Sequence, residues 1–211
     1  MNHEIYVFGS IVRGEIGKTS DVDVLVLPLG NQLKSAYPRG WTFYTEKSLR
    51  KMHEEGRLFS WHLFLESQCI YTPRAKPLLA ELGEPSFYNR AAKDIEELGD
   101  LLDESLDELT EGTESQIYEI GIIHTCLRDI AMSASWHMLQ SPCFSVDAPY
   151  YIPLSFPLPK GIYQSTIMAR HASTRGTELE IDADGIARTL IDASLPKWAS
   201  SVKECVNEYV S

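Results

Sequence analysis

One stretch constrains the fold of this chain more than any other: Val7-Phe8-Gly9-Ser10-Ile11-Val12-Arg13-Gly14-Glu15, followed after a short polar gap by Ser20-Asp21-Val22-Asp23-Val24-Leu25-Val26. An apolar run leaves through a glycine-serine turn, and a second apolar run carries acids at i and i+2. In a strand that spacing puts both carboxylates on one face. Two ionised acids so close repel each other unless a divalent cation sits between them, and a hard, all-oxygen ligand pair suits magnesium or manganese. The turn adds backbone N–H groups and the Ser10 hydroxyl near a helix start, where an anionic phosphate is favoured. Phosphate and metal therefore meet at one place. Gly-Ser alone is any turn and Asp-Val-Asp alone any strand edge; the order of the pieces carries the specificity.

The elements that follow read as a small mixed α/β sheet. Strands are predicted at Glu4 to Phe8, Val22 to Leu27 (ended by Pro28), Trp41 to Thr45 and Cys69 to Tyr71, with a helical turn at Ile11 to Glu15 and helices at Glu46 to Glu55 and Leu58 to Glu66. Gly56 suits a left-handed helix end. The proline- and glycine-containing stretch 73–87 reads as a linker. Beyond it Ile95, Leu98, Leu102, Leu106 and Leu109 recur at helical spacing, and Ile117, Ile120, Ile123, Leu127, Ile130 and Ala134 mark a second helix. Four prolines interrupt 141–159, and helices follow at Lys160 to Arg175 and at Ala183 to Tyr209, the last bent at Pro196. The expected fold class is α+β: a small-sheet domain over 1–72, a linker over 73–87 and an all-helical domain over 88–211.

The net charge of −11 argues against a general grip on duplex nucleic acid, since that affinity comes from neutralising phosphates. No run of the chain approaches the length of a membrane span, and no secretory signal is visible. Cys69, Cys126, Cys143 and Cys205 are far apart without a C-x-x-C pair, so they read as reduced thiols of a cytoplasmic protein.

These residues resemble the nucleotidyltransferase superfamily that includes DNA polymerase β, the kanamycin adenylyltransferases and the minimal nucleotidyltransferases of bacteria. Gly9, Ser10, Asp21 and Asp23 match its signature, and Arg13-Gly14 with Ser20 before the first acid is typical of the minimal branch. The resemblance covers about the first seventy residues. It implies a metal-dependent enzyme that moves a nucleoside monophosphate from an NTP or dNTP to a hydroxyl of a protein, an RNA or a growing oligonucleotide. Asp21 and Asp23 would hold Mg2+ or Mn2+, and Gly9, Ser10, Ser20 and either Arg13 or Lys18 would hold the triphosphate. Arg13 would equally serve to pair with an acid at the helix end. Such enzymes work in antiphage or toxin–antitoxin systems, which implies a protein partner from the same operon, a single-stranded oligonucleotide product or a homodimer. The alternatives are an aminoglycoside-type adenylyltransferase, whose two-module layout is the same, and a non-catalytic antitoxin-like binding protein.

Many members carry a third acid on the next strand. Here no acid occupies the centre of Trp41 to Thr45, which leaves Glu46 at its end as the candidate and Glu66 as a weaker one. Arg128 and His137 are too far apart for the Arg-x(4–6)-His motif of the ribonuclease domains that accompany minimal nucleotidyltransferases, and Arg170-His171 has no gap, so ribonuclease activity is not expected. Tyr209, near the end of the sequence, is a candidate acceptor hydroxyl.

Overall fold

The first two apolar runs form β1 (His3–Phe8) and β2 (Asp23–Pro28), paired antiparallel with Phe8 opposite Asp23 and His3 opposite Pro28. Between them lies α1 (Ser10–Arg13). β3 (Thr42–Phe43) runs parallel to β2, and β4 (Ser67–Tyr71) runs antiparallel to β1, so the sheet order is β3-β2-β1-β4. This computed structural model describes residues 2–15, 22–29, 37–38, 40–176 and 181–210. It divides into two compact units, Met1–Asn89 and Arg90–Ser211. The architecture is α+β, a small mixed sheet followed along the chain by helices.

Side chains alternate across a sheet, and one face gathers Tyr6 and Phe8 of β1 with Leu25 and Leu27 of β2. Leu49 of α2 (Glu46–Glu54), Leu63 of α3 (Leu58–Glu66) and Leu78 of α4 (Leu78–Leu82) close over that face. By the same alternation Glu4 and Asp23 belong to the helix-covered face, at opposite ends of the strands. Glu4 is fully buried and accepts hydrogen bonds from the Tyr6 hydroxyl, the Thr72 hydroxyl (2.9 Å) and the Leu78 N–H (3.0 Å). Arg74 pairs with it at 3.3 Å. Burial, reinforced by the bond to Glu4, raises the Tyr6 phenol well above its ordinary range, so it remains a donor.

The stretch 73–87, expected as a linker, holds α4 within the first unit. Leu78 is fully buried, worth about 1.5–3 kcal/mol, and Arg74 reaches Glu4 and Glu46. Ser86 accepts the Trp61 indole N–H at 2.9 Å and donates its own N–H to His53 at 3.0 Å. Gly56, at φ 61° after α2, passes so close to this segment that a Cβ there would overlap the carbonyl oxygens of Ser86 and Phe87. Gly56→Ala is expected to destabilise the unit by about 2 kcal/mol or more, from left-handed strain plus that overlap, and the denaturant midpoint measures it.

The third strand is shorter than predicted. Thr45 leaves the sheet to cap α2, its hydroxyl accepting the Ser48 N–H at 3.1 Å. Glu46 is the first residue of α2, as the expected helix over Glu46 to Glu55 has it, so the candidate third acid stands on a helix and off the sheet.

In the second unit the predicted stripes are buried: Ile95, Leu102, Leu106 and Leu109 on α5 (Ala91–Glu111), and Ile120, Ile123, Leu127, Ile130 and Ala134 on α6 (Gln116–Met138). Within the proline-bearing stretch a 3₁₀ turn spans Ala148–Tyr150, and α7 (Lys160–Arg175) follows. The expected single helix over 183–209 is two, α8 (Ala183–Asp192) and α9 (Leu195–Val210). Pro196 is the second residue of α9, where no intrahelical N–H is required, so it starts a helix instead of bending one. No helix among the described residues is long and apolar enough to cross a membrane.

Candidate active site

The site is built where β1 ends and β2 begins. Gly9 leaves β1 at φ 72°, ψ −140°, a conformation that only glycine adopts at low cost, and starts α1. Its carbonyl accepts the N–H groups of Val12 (3.0 Å) and Arg13 (3.2 Å), and its own N–H donates to the Glu66 carbonyl at 3.1 Å. The first-turn N–H groups of Ser10 and Ile11 precede these donors, as at any helix start. Asp23 is exposed and stands opposite Phe8 in the ladder. A Cβ on residue 9 would lie 3.0 Å from Asp23 Oδ2 and 3.7 Å from His62 Nε2. The missing side chain is therefore what lets the turn come so close to the Asp23 carboxylate.

Around that space the charges are paired. Glu66, the last residue of α3, accepts from Arg13 and lies 3.1 Å from His62 Nε2, one turn earlier in the same helix. Arg13 also bonds Glu15 at 2.9 Å. Burial alone would raise the Glu66 carboxyl, but the nearby His62 and the Arg13 guanidinium outweigh it and hold it below the usual carboxylate range. Burial would likewise lower Arg13, yet its bonds to Glu15 and Glu66 raise it overall. His62 packs edge-on against Phe8, with ring centroids 5.5 Å apart, and against Phe59 at 6.3 Å.

Glu46 lies elsewhere in the network. Arg74 and Arg50 bind it, Arg50 at 2.8 Å, and their hydrogen bonds hold its carboxyl below the ordinary range. A carboxylate clasped by two guanidinium groups is a weak proton acceptor. Asp21, Lys18 and Ser20 fall outside the described residues. Of the expected site residues, the structure brings together Gly9, Ser10, Arg13 and Asp23.

Residues 2–62 match the family model described as a nucleotidyltransferase domain. These residues form a nucleotidyltransferase domain. The match bears out the resemblance to the polymerase β-like superfamily, and such a domain supports nucleotidyl transfer with a nucleoside triphosphate as substrate. It ends at His62, so Glu66, β4 and the helices of the second unit lie beyond it. A comparison with curated proteins finds no match.

Sequence reasoning missed His62 within this nucleotidyltransferase domain. The available signal was the spacing of His62 and Glu66 at i, i+4, which puts both on one helix face. Nothing local indicated that this face meets Gly9.

Proposed function

We propose that this chain is a metal-dependent nucleotidyltransferase that moves a nucleoside monophosphate from an NTP or dNTP to a hydroxyl acceptor. The observation that carries the reading is the close approach of the Gly9-Ser10 turn to the exposed Asp23 carboxylate, which a side chain on residue 9 would crowd. Magnesium is commonly held by one or two carboxylates, with substrate phosphates and water completing an octahedron. The donor set fits that habit: Asp23 supplies one hard oxygen ligand, and the motif assigns Asp21, two residues earlier, as the second. Among the described residues no group of three or more His, Cys, Asp or Glu side chains is placed to hold a metal. That suits a site which the nucleotide completes better than an all-protein cage. When bound, the metal supplies neutralisation of phosphate charge and alignment of the attacking and leaving oxygens.

The chain's own residues then have distinct tasks. The Ser10 hydroxyl and the first N–H groups of α1 are assigned to the β- and γ-phosphates, as are Lys18 and Ser20, all four on the motif. Arg13, already shared between Glu15 and Glu66, braces the turn. Glu46 serves as the anchor of Arg50 and Arg74, while the first task weighed for it, proton transfer, suits its ion pairing poorly. The resemblance to stand-alone bacterial members supports a role in antiphage defence or a toxin–antitoxin system, with a protein, an RNA or a growing oligonucleotide as acceptor.

The test is incubation of the pure protein with each labelled triphosphate and magnesium, followed by a search for labelled protein, labelled oligomer or pyrophosphate. A polycationic drug and single-stranded RNA serve as added acceptors. Absence of turnover with every triphosphate and acceptor would leave a binding protein on this fold. Ser10→Val is expected to weaken a non-hydrolysable triphosphate by roughly tenfold to a hundredfold, the worth of a hydrogen bond to a charged group, with little change in melting temperature. Calorimetric titration decides, and unchanged affinity would make the Gly-Ser turn purely structural.

A further inference from the structure

We infer that His62 is a positioning residue for Asp23, held in place by Glu66 and Arg13. This rests on the reading of Asp23 as a metal ligand and extends it to a side chain that the sequence motif does not contain. The imidazole Nε2 lies near two carboxylates. Glu66 Oε2 lies 3.1 Å away, and the point where a Cβ of residue 9 would stand is 3.7 Å from Nε2 and 3.0 Å from Asp23 Oδ2. Residue 9 is glycine, so no side chain of its own occupies that point.

The ring has little freedom to leave. Phe8 and Phe59 pack against it, and its side chain is 17% exposed. Glu66 is tied from both sides, by Arg13 of α1 through its carboxylate and by the Gly9 N–H through its carbonyl. Residues of α1, α3 and β2 thus converge through one chain of contacts: Arg13 to Glu66, Glu66 to His62, and His62 to the space beside Asp23. A carboxylate that ligates a metal needs its own orientation fixed, and hydrogen-bonding partners behind the ligands typically change metal affinity by 10–100-fold when removed.

The test reads metal binding directly, using manganese alone and electron paramagnetic resonance on the full chain. Wild type is expected to bind manganese in a manner abolished by Asp23→Asn. His62→Leu, which removes the donor but keeps apolar packing against Phe8 and Phe59, is expected to lose roughly 10–100-fold in affinity, and His62→Gln, which restores an N–H donor, to recover part of it. Glu66→Gln is expected to weaken manganese in the same direction, and its effect is expected not to add to that of His62→Leu, since both act along one chain of contacts. Glu66→Gln carries the test alone if His62→Leu does not fold. Wild-type manganese affinity in a folded His62→Leu or Glu66→Gln protein would overturn the inference and leave the metal site standing. Failure of wild type to bind manganese through Asp23 would overturn both the inference and the reading beneath it.

Discussion

Asp23→Asn is expected to lower nucleotidyl transfer by about 10³-fold or more while the protein keeps its melting temperature. A metal at a transferring phosphate supplies several kcal/mol of charge stabilisation, and each ~1.4 kcal/mol is a factor of ten in rate. An amide in place of the carboxylate removes the charge that attracts the cation and leaves the side chain nearly the same shape. Asp23 is exposed at the start of β2, so its replacement opens no cavity in the core. Asp21→Asn is expected to do the same on the motif's assignment. Steady-state rates with magnesium and a triphosphate, beside thermal melting of each variant, check the pair. Near-normal turnover in Asp23→Asn would place the metal site elsewhere.

Glu4→Ala is expected to cost about 3–5 kcal/mol of folding stability, the usual consequence of breaking a buried charged network from one side. The removed carboxylate accepts from Tyr6, Thr72 and the Leu78 N–H and pairs with Arg74. The buried Tyr6 hydroxyl and Leu78 N–H would lose their acceptor where water enters poorly, while Arg74 would keep Glu46; α4, which closes the core through Leu78, would lose its backbone anchor. For a domain of this size that is a large part of total stability. Urea unfolding followed by tryptophan fluorescence reads it, with Trp61 inside the unit as the reporter. A loss below 1 kcal/mol would mean that the network is satisfied in another way. Glu4→Gln is expected to cost less, since its amide oxygen still accepts two of the bonds.

The strands β1 and β2, the Gly9 turn between them and the helical stripes of α5 and α6 were legible because each depends on neighbours in sequence. Period-two alternation, a glycine at a positive φ and apolar residues every three or four positions are local properties. Glu4 shows the opposite case. Beside His3 at the head of a strand it reads as an ordinary solvated acid, and only the arrival of Thr72, Arg74 and Leu78 from far along the chain makes its burial affordable. The third strand was read too long for a local reason, since the Thr45 hydroxyl, three residues before Ser48, caps α2 instead of continuing the sheet. The break between α8 and α9 was of the same kind, since Pro196 suits the first turn of a new helix as well as a bend in an old one.

The sequence by itself determined the order of strand, glycine-serine turn and acid-bearing strand, and with it the nucleotidyltransferase domain, because that chemistry is written in contiguous residues. Tertiary structure alone decided that Arg13 pairs with Glu66, that Arg74 holds Glu4 and Glu46, and that His62 stands beside Gly9. Each of those meetings joins elements separated by long loops of chain. The free energy that selects them comes from burying a shared face and satisfying the polar groups trapped with it, which no window of adjacent residues contains.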